Sequence, residues 1–154
     1  MRNRSAAWII CVAISATFQS LVQAQPVQYS NVPFAITPIN PCNGEIVAVN
    51  GTMDILVQMT DDGAGGTHDK GYIVSKGDGL GSAGNEYVYS DEREAELSTS
   101  GPSDQSSFSF EINHMLNAVG AAPNFVAHST VHVTVDANGV PTANVANVWQ
   151  ECRG

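Results

Sequence analysis

The clearest alternation of apolar and polar positions runs through Ser106–Gln150 and predicts three consecutive β-strands, Ser106–Leu116, Asn124–Val135 and Val140–Gln150. Successive side chains of a strand point to opposite faces, so parity decides which residues can meet across a sheet. In the first hairpin, Phe110 opposite Val131, Phe108 opposite Val133 and Leu116 opposite Phe125 keep apolar against apolar. A slip of one residue would set Phe110 against His132, and burying an apolar side chain of that size is worth roughly 1.5–3 kcal/mol. Between the second and third strands, Asp136-Ala137-Asn138-Gly139 is a turn signal with two readings. A two-residue type I′ turn pairs Val131 with Asn144. A type I turn with Gly139 in the left-handed position and a G1 bulge pairs Val131 with Val145, Val133 with Ala143 and Ala127 with Trp149. The bulged turn keeps the faces unmixed and is the expected one.

The resulting meander has an apolar face of Phe108, Phe110, Ile112, Leu116, Phe125, Ala127, Val131, Val133, Ala143, Val145 and Trp149. Its polar face carries Ser109, Glu111, Asn113, His128, Thr130, His132, Thr134, Thr142 and Asn144. One face in a core and one face wet is the usual division of an antiparallel sheet.

Upstream, Glu45–Thr60 reads as a long strand with a bulge or bend at Asn50-Gly51. Asp61–Asp69 reads as a polar hairpin loop; Gly and Ala stand where a calcium loop would place oxygen ligands. Gly71–Lys76 follows as a short strand. Gly79-Leu80-Gly81-Ser82-Ala83-Gly84 spells G-x-G-x-x-G, but a strand signal, Asn85–Tyr89, follows it where a dinucleotide site needs a helix. It reads instead as a glycine-rich loop. The acidic run Asp91–Glu96 and the Ser/Gly/Pro-rich Ser98–Ser107 predict a solvated loop with at most one helical turn. Gln25–Pro41, with four prolines, predicts an extended leader. Together these elements predict an all-β domain, a single antiparallel up-and-down β-barrel of about six to eight strands, with a β-sandwich as the alternative.

The chain begins Met1-Arg2-Asn3-Arg4, continues with an apolar run from Ala6 to Phe18, and presents Val22-Gln23-Ala24 as a cleavage site. This predicts a secretory signal peptide over 1–24, a leader over 25–41 and a barrel domain over 42–154. The apolar run falls short of the ~20 residues a spanning helix needs. Loss of Arg2 and Arg4 takes the formal charge from −9 to −11, because every acidic residue lies downstream. Such a chain is unsuited to holding nucleic acid phosphates and is repelled by anionic membranes. The expectation is a secreted or periplasmic protein without membrane insertion after cleavage.

Two cysteines remain after cleavage, Cys42 and Cys152. In an oxidising compartment they are expected to form a disulfide, a staple worth ~4–5 kcal/mol in the chain-entropy account. With no third thiol, a metal role is not expected.

The histidines are the side chains that invite chemistry. His68 lies in a loop, and His114 falls on the apolar face beside Ala127 as a hydrogen-bonded core residue. His128 and His132 share the polar face about 13 Å apart, too far to hold one zinc. Glu111 and His128, on adjacent strands of that face, are close enough for an acid–base pair. No nucleophile elbow, metalloprotease helix or cofactor motif occurs. The expected function is a ligand-binding barrel without chemistry or cofactor. Its contacts are Glu111, Asn113, His128, His132 and Asn144, and its partner is a small molecule or an extended ligand. One alternative is a barrel enzyme, an isomerase or hydrolase, using Glu111 and His128. The other is a cell-surface or matrix protein working through its outer face. An inward polar row with a cavity favours the first two, an outward row the last.

Asn40-Pro41-Cys42-Asn43-Gly44-Glu45, Pro123-Asn124-Phe125 with His128-x-Thr130-x-His132-x-Thr134, Asp136-Ala137-Asn138-Gly139 and Glu151-Cys152-Arg153 together resemble a group of uncharacterised secreted bacterial proteins with paired terminal cysteines. The resemblance spans most of the chain after the expected signal peptide and implies export and the β fold. It supplies no activity and no catalytic residue.

Overall fold

The computed structural model describes residues 26–101 and 105–154, so the expected signal peptide lies outside the described residues. Eight strands form: β1 Val27–Ile36, β2 Ile39–Asn40, β3 Glu45–Asp61, β4 Thr67–Gly81, β5 Glu86–Ser100, β6 Gln105–Ala118, β7 Asn124–Val135 and β8 Pro141–Arg153. They make one antiparallel sheet in the order β1-β3-β4-β5-β6-β7-β8, with β2 beside the start of β3. The all-β, up-and-down meander expected from the alternation is therefore present.

The sheet is rolled, but its ladder does not close. Five inter-strand steps of about 4.8 Å would hold β3 and β8 roughly 24 Å apart in a flat sheet. The Cα atoms of Cys42, just before β3, and Cys152, near the end of β8, are 5.6 Å apart and joined by a disulfide. The face that carries these cysteines must therefore curl inward at this end. Asn40 Nδ2 closes the same gap by donating to the Pro123 carbonyl at 2.9 Å. Among the described residues no ladder joins β1 to β8, so the expected barrel closure is replaced by a covalent clip at one end. β8 is left as an edge.

The core lies inside the rolled end: Val47 and Val49 of β3, Tyr87 and Tyr89 of β5, Leu116 of β6 and Phe125 of β7. Side chains two strands apart meet because β4 between them is bare. Gly77, Gly79 and Gly81 take its inward positions, opposite Gly51, Val49 and Val47. A Cβ on Gly79 would sit 2.6 Å from Val47 Cγ1. Where Gly51 faces Gly77, the rings of Phe34 and Tyr89 reach across both glycines to a centroid distance of 5.7 Å. The expected glycine-rich loop is thus half strand, through Gly81, and half turn. The physical reason is that glycine here clears space for neighbours across the sheet.

Two other expectations are corrected. The pairing of β3 with β4 runs unbroken from Val47–Gly81 to Asp61–Thr67, so no bulge splits β3 at Asn50-Gly51. Val47, Val49, Met53, Ile55, Val57 and Met59 all have the same parity, and the break in β3's partner β1 falls instead at Tyr29/Val32, where Asn31 has φ 56°. The Asp91–Ser100 segment belongs to β5, paired on both sides, with Asp91 and Ala95 inward and Glu92, Glu94 and Glu96 outward. Composition suggested a loop; the alternation hidden in the acidic run made a strand.

Candidate functional site

The face opposite the core, across β6 and β7, gathers the predicted polar residues other than those of β8. Phe110–Val131, Phe108–Val133 and Leu116–Phe125 pair as expected, which puts His128 and His132 on the outer face. Glu111 is opposite Thr130, and Asn113 is opposite His128. The expected Glu111–His128 contact is therefore corrected to a relay. Asn113 Nδ2 donates to Glu111 Oε1 at 3.1 Å, and Asn113 Oδ1 lies 2.7 Å from His128 Nδ1. A carboxylate can only accept, so the Asn113 amide turns its Nδ2 to Glu111 and its Oδ1 to the imidazole. In the neutral imidazole Nδ1 then donates to Asn113 Oδ1, and Nε2 accepts from the Thr130 hydroxyl at 2.9 Å. His132 is held likewise, between Ser109 Oγ at 2.7 Å and Thr134 Oγ1 at 3.3 Å.

Thr130 beside His128 invites comparison with an activated hydroxyl, for which donors to a developing oxyanion would come from side chains and not from the backbone of β7. β7 is paired on both sides, so its backbone donors are spent in the ladders. What the arrangement provides is a set of fixed hydroxyl, amide and imidazole groups. A shallow cleft of about 170 Å³ adjoins it, lined by Glu94, Glu96, Ser109, Phe110, Glu111 and Thr130.

β8 departs from the expected register, and this changes the site. At the turn the bulged reading is right: Gly139 has φ 77°, its N–H donates to the Asp136 carbonyl at 3.0 Å, and Val135 pairs with Pro141. The next pair is Thr134–Ala143, so Thr142 is an extra residue that shifts everything after it. Val131 faces Ala146 instead of Val145, and His128 faces Trp149. Ala143, Val145 and Trp149 are therefore on the outer face, and Asn144 is on the inner one, away from the predicted contacts. Trp149 lies 5.9 Å from the His128 ring at 27° to it and remains 46% exposed.

Two facts explain the shift. Pro141 has no N–H, so the ladder can be interrupted beside it at little cost. Cys152 must face inward to reach Cys42, and it does so opposite Phe125. The register expected from the turn alone would have aimed Cys152 outward. The disulfide sets the parity of β8, and Thr142 absorbs the mismatch with the turn.

Charged residues in the interior were not identified from the sequence. Asp91 is buried at 2% exposure, 2.5 Å from Arg93 Nε and 3.3 Å from His114 Nδ1. Burial pushes its carboxyl up, but the bonds from His114 and Arg93 outweigh this and hold it below the usual carboxylate range. His114 does lie on the core face opposite Ala127, with Tyr89 and Phe125 rings 5.2 and 5.8 Å away. At the rolled end, Glu45 accepts from Tyr87 Oη at 2.6 Å, Asn85 Nδ2 at 3.0 Å, Asn43 Nδ2 at 3.1 Å and the Ala83 N–H at 2.8 Å. The Tyr87 hydroxyl and Asn85 amide lower its pKa to about 2, against the opposing effect of burial. The alternation of Asp91 with Arg93 two residues on was the one available signal for the first group. Both clusters satisfy buried charge rather than present it.

Among the described residues no group of three or more His, Cys, Asp or Glu side chains is arranged to hold a metal ion, and no helix is long and apolar enough to cross a membrane. No protein-family model, curated protein or solved structure matches the chain.

Proposed function

We propose that this is an exported, non-catalytic binding protein whose working surface is the outer face of β6–β8, and that it holds a neutral, hydroxyl-rich polymer laid across that face. The observation that carries this reading is the frozen hydrogen-bond chain Glu111–Asn113–His128–Thr130 beside exposed Trp149. A preorganised row of amides, hydroxyls and an imidazole costs little to order on binding. An adjacent indole offers an apolar surface with a polar edge, suited to a ligand with alternating C–H and O–H faces. The flat exposure of the row suits an extended ligand better than an enclosed small molecule. The net charge of −9 disfavours an anionic polymer. The disulfide, which needs an oxidising compartment to persist, supports export.

The test is retention of the purified protein on insoluble neutral polysaccharides of several linkages, with an anionic polysaccharide as control. Wild type is expected to be retained on at least one neutral polymer, and Trp149→Ala to weaken that retention by about tenfold or more while melting like wild type. Failure of wild type to bind any neutral polymer, or undiminished retention of the variant, would overturn the reading.

A further inference from the structure

We propose that β8 is an assembly edge: two copies of this chain pair antiparallel along β8 about a twofold axis at Asn147, making one continuous sheet. The inference is independent of the ligand reading.

An edge strand offers unpaired N–H and C=O groups to another strand, and soluble proteins usually guard it with charge, proline or a bulge. The two edges of this sheet are treated differently. β1 has a register break at Tyr29/Val32, a positive-φ Asn31 and Pro33. β8 carries no charge from Thr142 to Gln150 and no register break beyond Thr142. All its residues are exposed, including Val148 at 70% and Val145 at 49%. In a chain of net charge −9, two copies can approach with least repulsion along such a neutral strand.

The partner is a second copy because β8 complements itself. A twofold axis perpendicular to the sheet matches residues of equal parity, since the outer faces of both copies stay on one side. Centred on Asn147, it sets Val145 against the second copy's Trp149 on the outer face. On the inner face it sets Ala146 against Val148 and Asn144 against Gln150. From Asn144 to Gln150 apolar meets apolar and amide meets amide on both faces, and the charged Glu151 falls outside this stretch, opposite Ala143. Centred on Ala146 instead, it would set Asn144 against Val148. The Asn147 register also makes the two polar platforms continuous, so one extended ligand could span both.

The test uses the full chain after export, with its disulfide intact. Sedimentation at roughly micromolar concentration is expected to show a dimer. Val145→Glu with Val148→Glu should raise its Kd by about tenfold or more. Should that variant not fold, Asn147→Cys carries the test. At the axis the two introduced thiols face each other within disulfide reach, so mild oxidation should link the copies, whereas Asn144→Cys should not link. A monomeric wild type, a dimer indifferent to the two glutamates, or equal cross-linking at 144 and 147 would overturn the proposal.

Discussion

Glu45 shows how a single residue couples the fold to pH. Its carboxylate is the shared acceptor of Tyr87, Asn85, Asn43 and the Ala83 N–H inside the rolled end. Its pKa falls from 4.5 to about 2 on folding. A depressed carboxyl stabilises the fold fully above its unfolded pKa, and that contribution is lost as pH falls through the folded value. Stability should therefore decline as pH drops from about 4.5 towards about 2. Glu45→Gln should be less stable than wild type at pH 7, and the two melting temperatures should converge at about pH 2. A gap between them that stays constant from pH 7 to pH 2 would refute this role. In the sequence Glu45 stood only as the first residue of a strand. Its partners come from three segments, so no local pattern could mark it as buried.

At the scale of elements, the contrast between β7 and β8 is instructive. The register of β6 against β7 was legible because Leu116 and Phe125 are buried, and a one-residue slip would expose them. β8 is exposed along its whole length, so burial fixes nothing there. Its register follows from Pro141, the extra Thr142 and the inward demand of Cys152. Deleting Thr142 should remove the extra residue and leave Ala143–Arg153 with their present partners, because the register implied by the turn then itself sets Cys152 inward opposite Phe125. That variant should then show no titratable thiols under denaturing conditions after oxidative purification, as in exported wild type. Two free thiols in the deletion variant would show that Thr142 is not what reconciles the turn with the inward Cys152. The acidic half of β5 was missed for a related reason: its outer glutamates dominate the composition and conceal the inward Asp91 and Ala95.

For the whole molecule, the disulfide takes the place of the hydrogen bonds that would close a barrel. It ties positions 110 residues apart, which in the chain-entropy account is worth ~4–5 kcal/mol. Replacing Cys42 and Cys152 by serine should lower the melting temperature by on the order of 10–20 °C, given roughly 2–4 °C per kcal/mol for a chain near this size. An unchanged melt would mean that the packing of Tyr87, Tyr89, Leu116 and Phe125 holds the roll unaided.

The sequence by itself determined the alternation of β6 and β7, their register, the left-handed Gly139 turn and, with Cys11 assigned to the expected signal peptide, the pairing of Cys42 with Cys152, since each rests on local sterics, on burial or on the few cysteines available. Only the tertiary structure decided that the sheet stays open, that Trp149 joins His128 on the outer face, and that Asp91 and Glu45 are buried with their partners. Those outcomes depend on groups far apart in the chain, brought together by a rolled sheet whose last strand is positioned by a covalent bond.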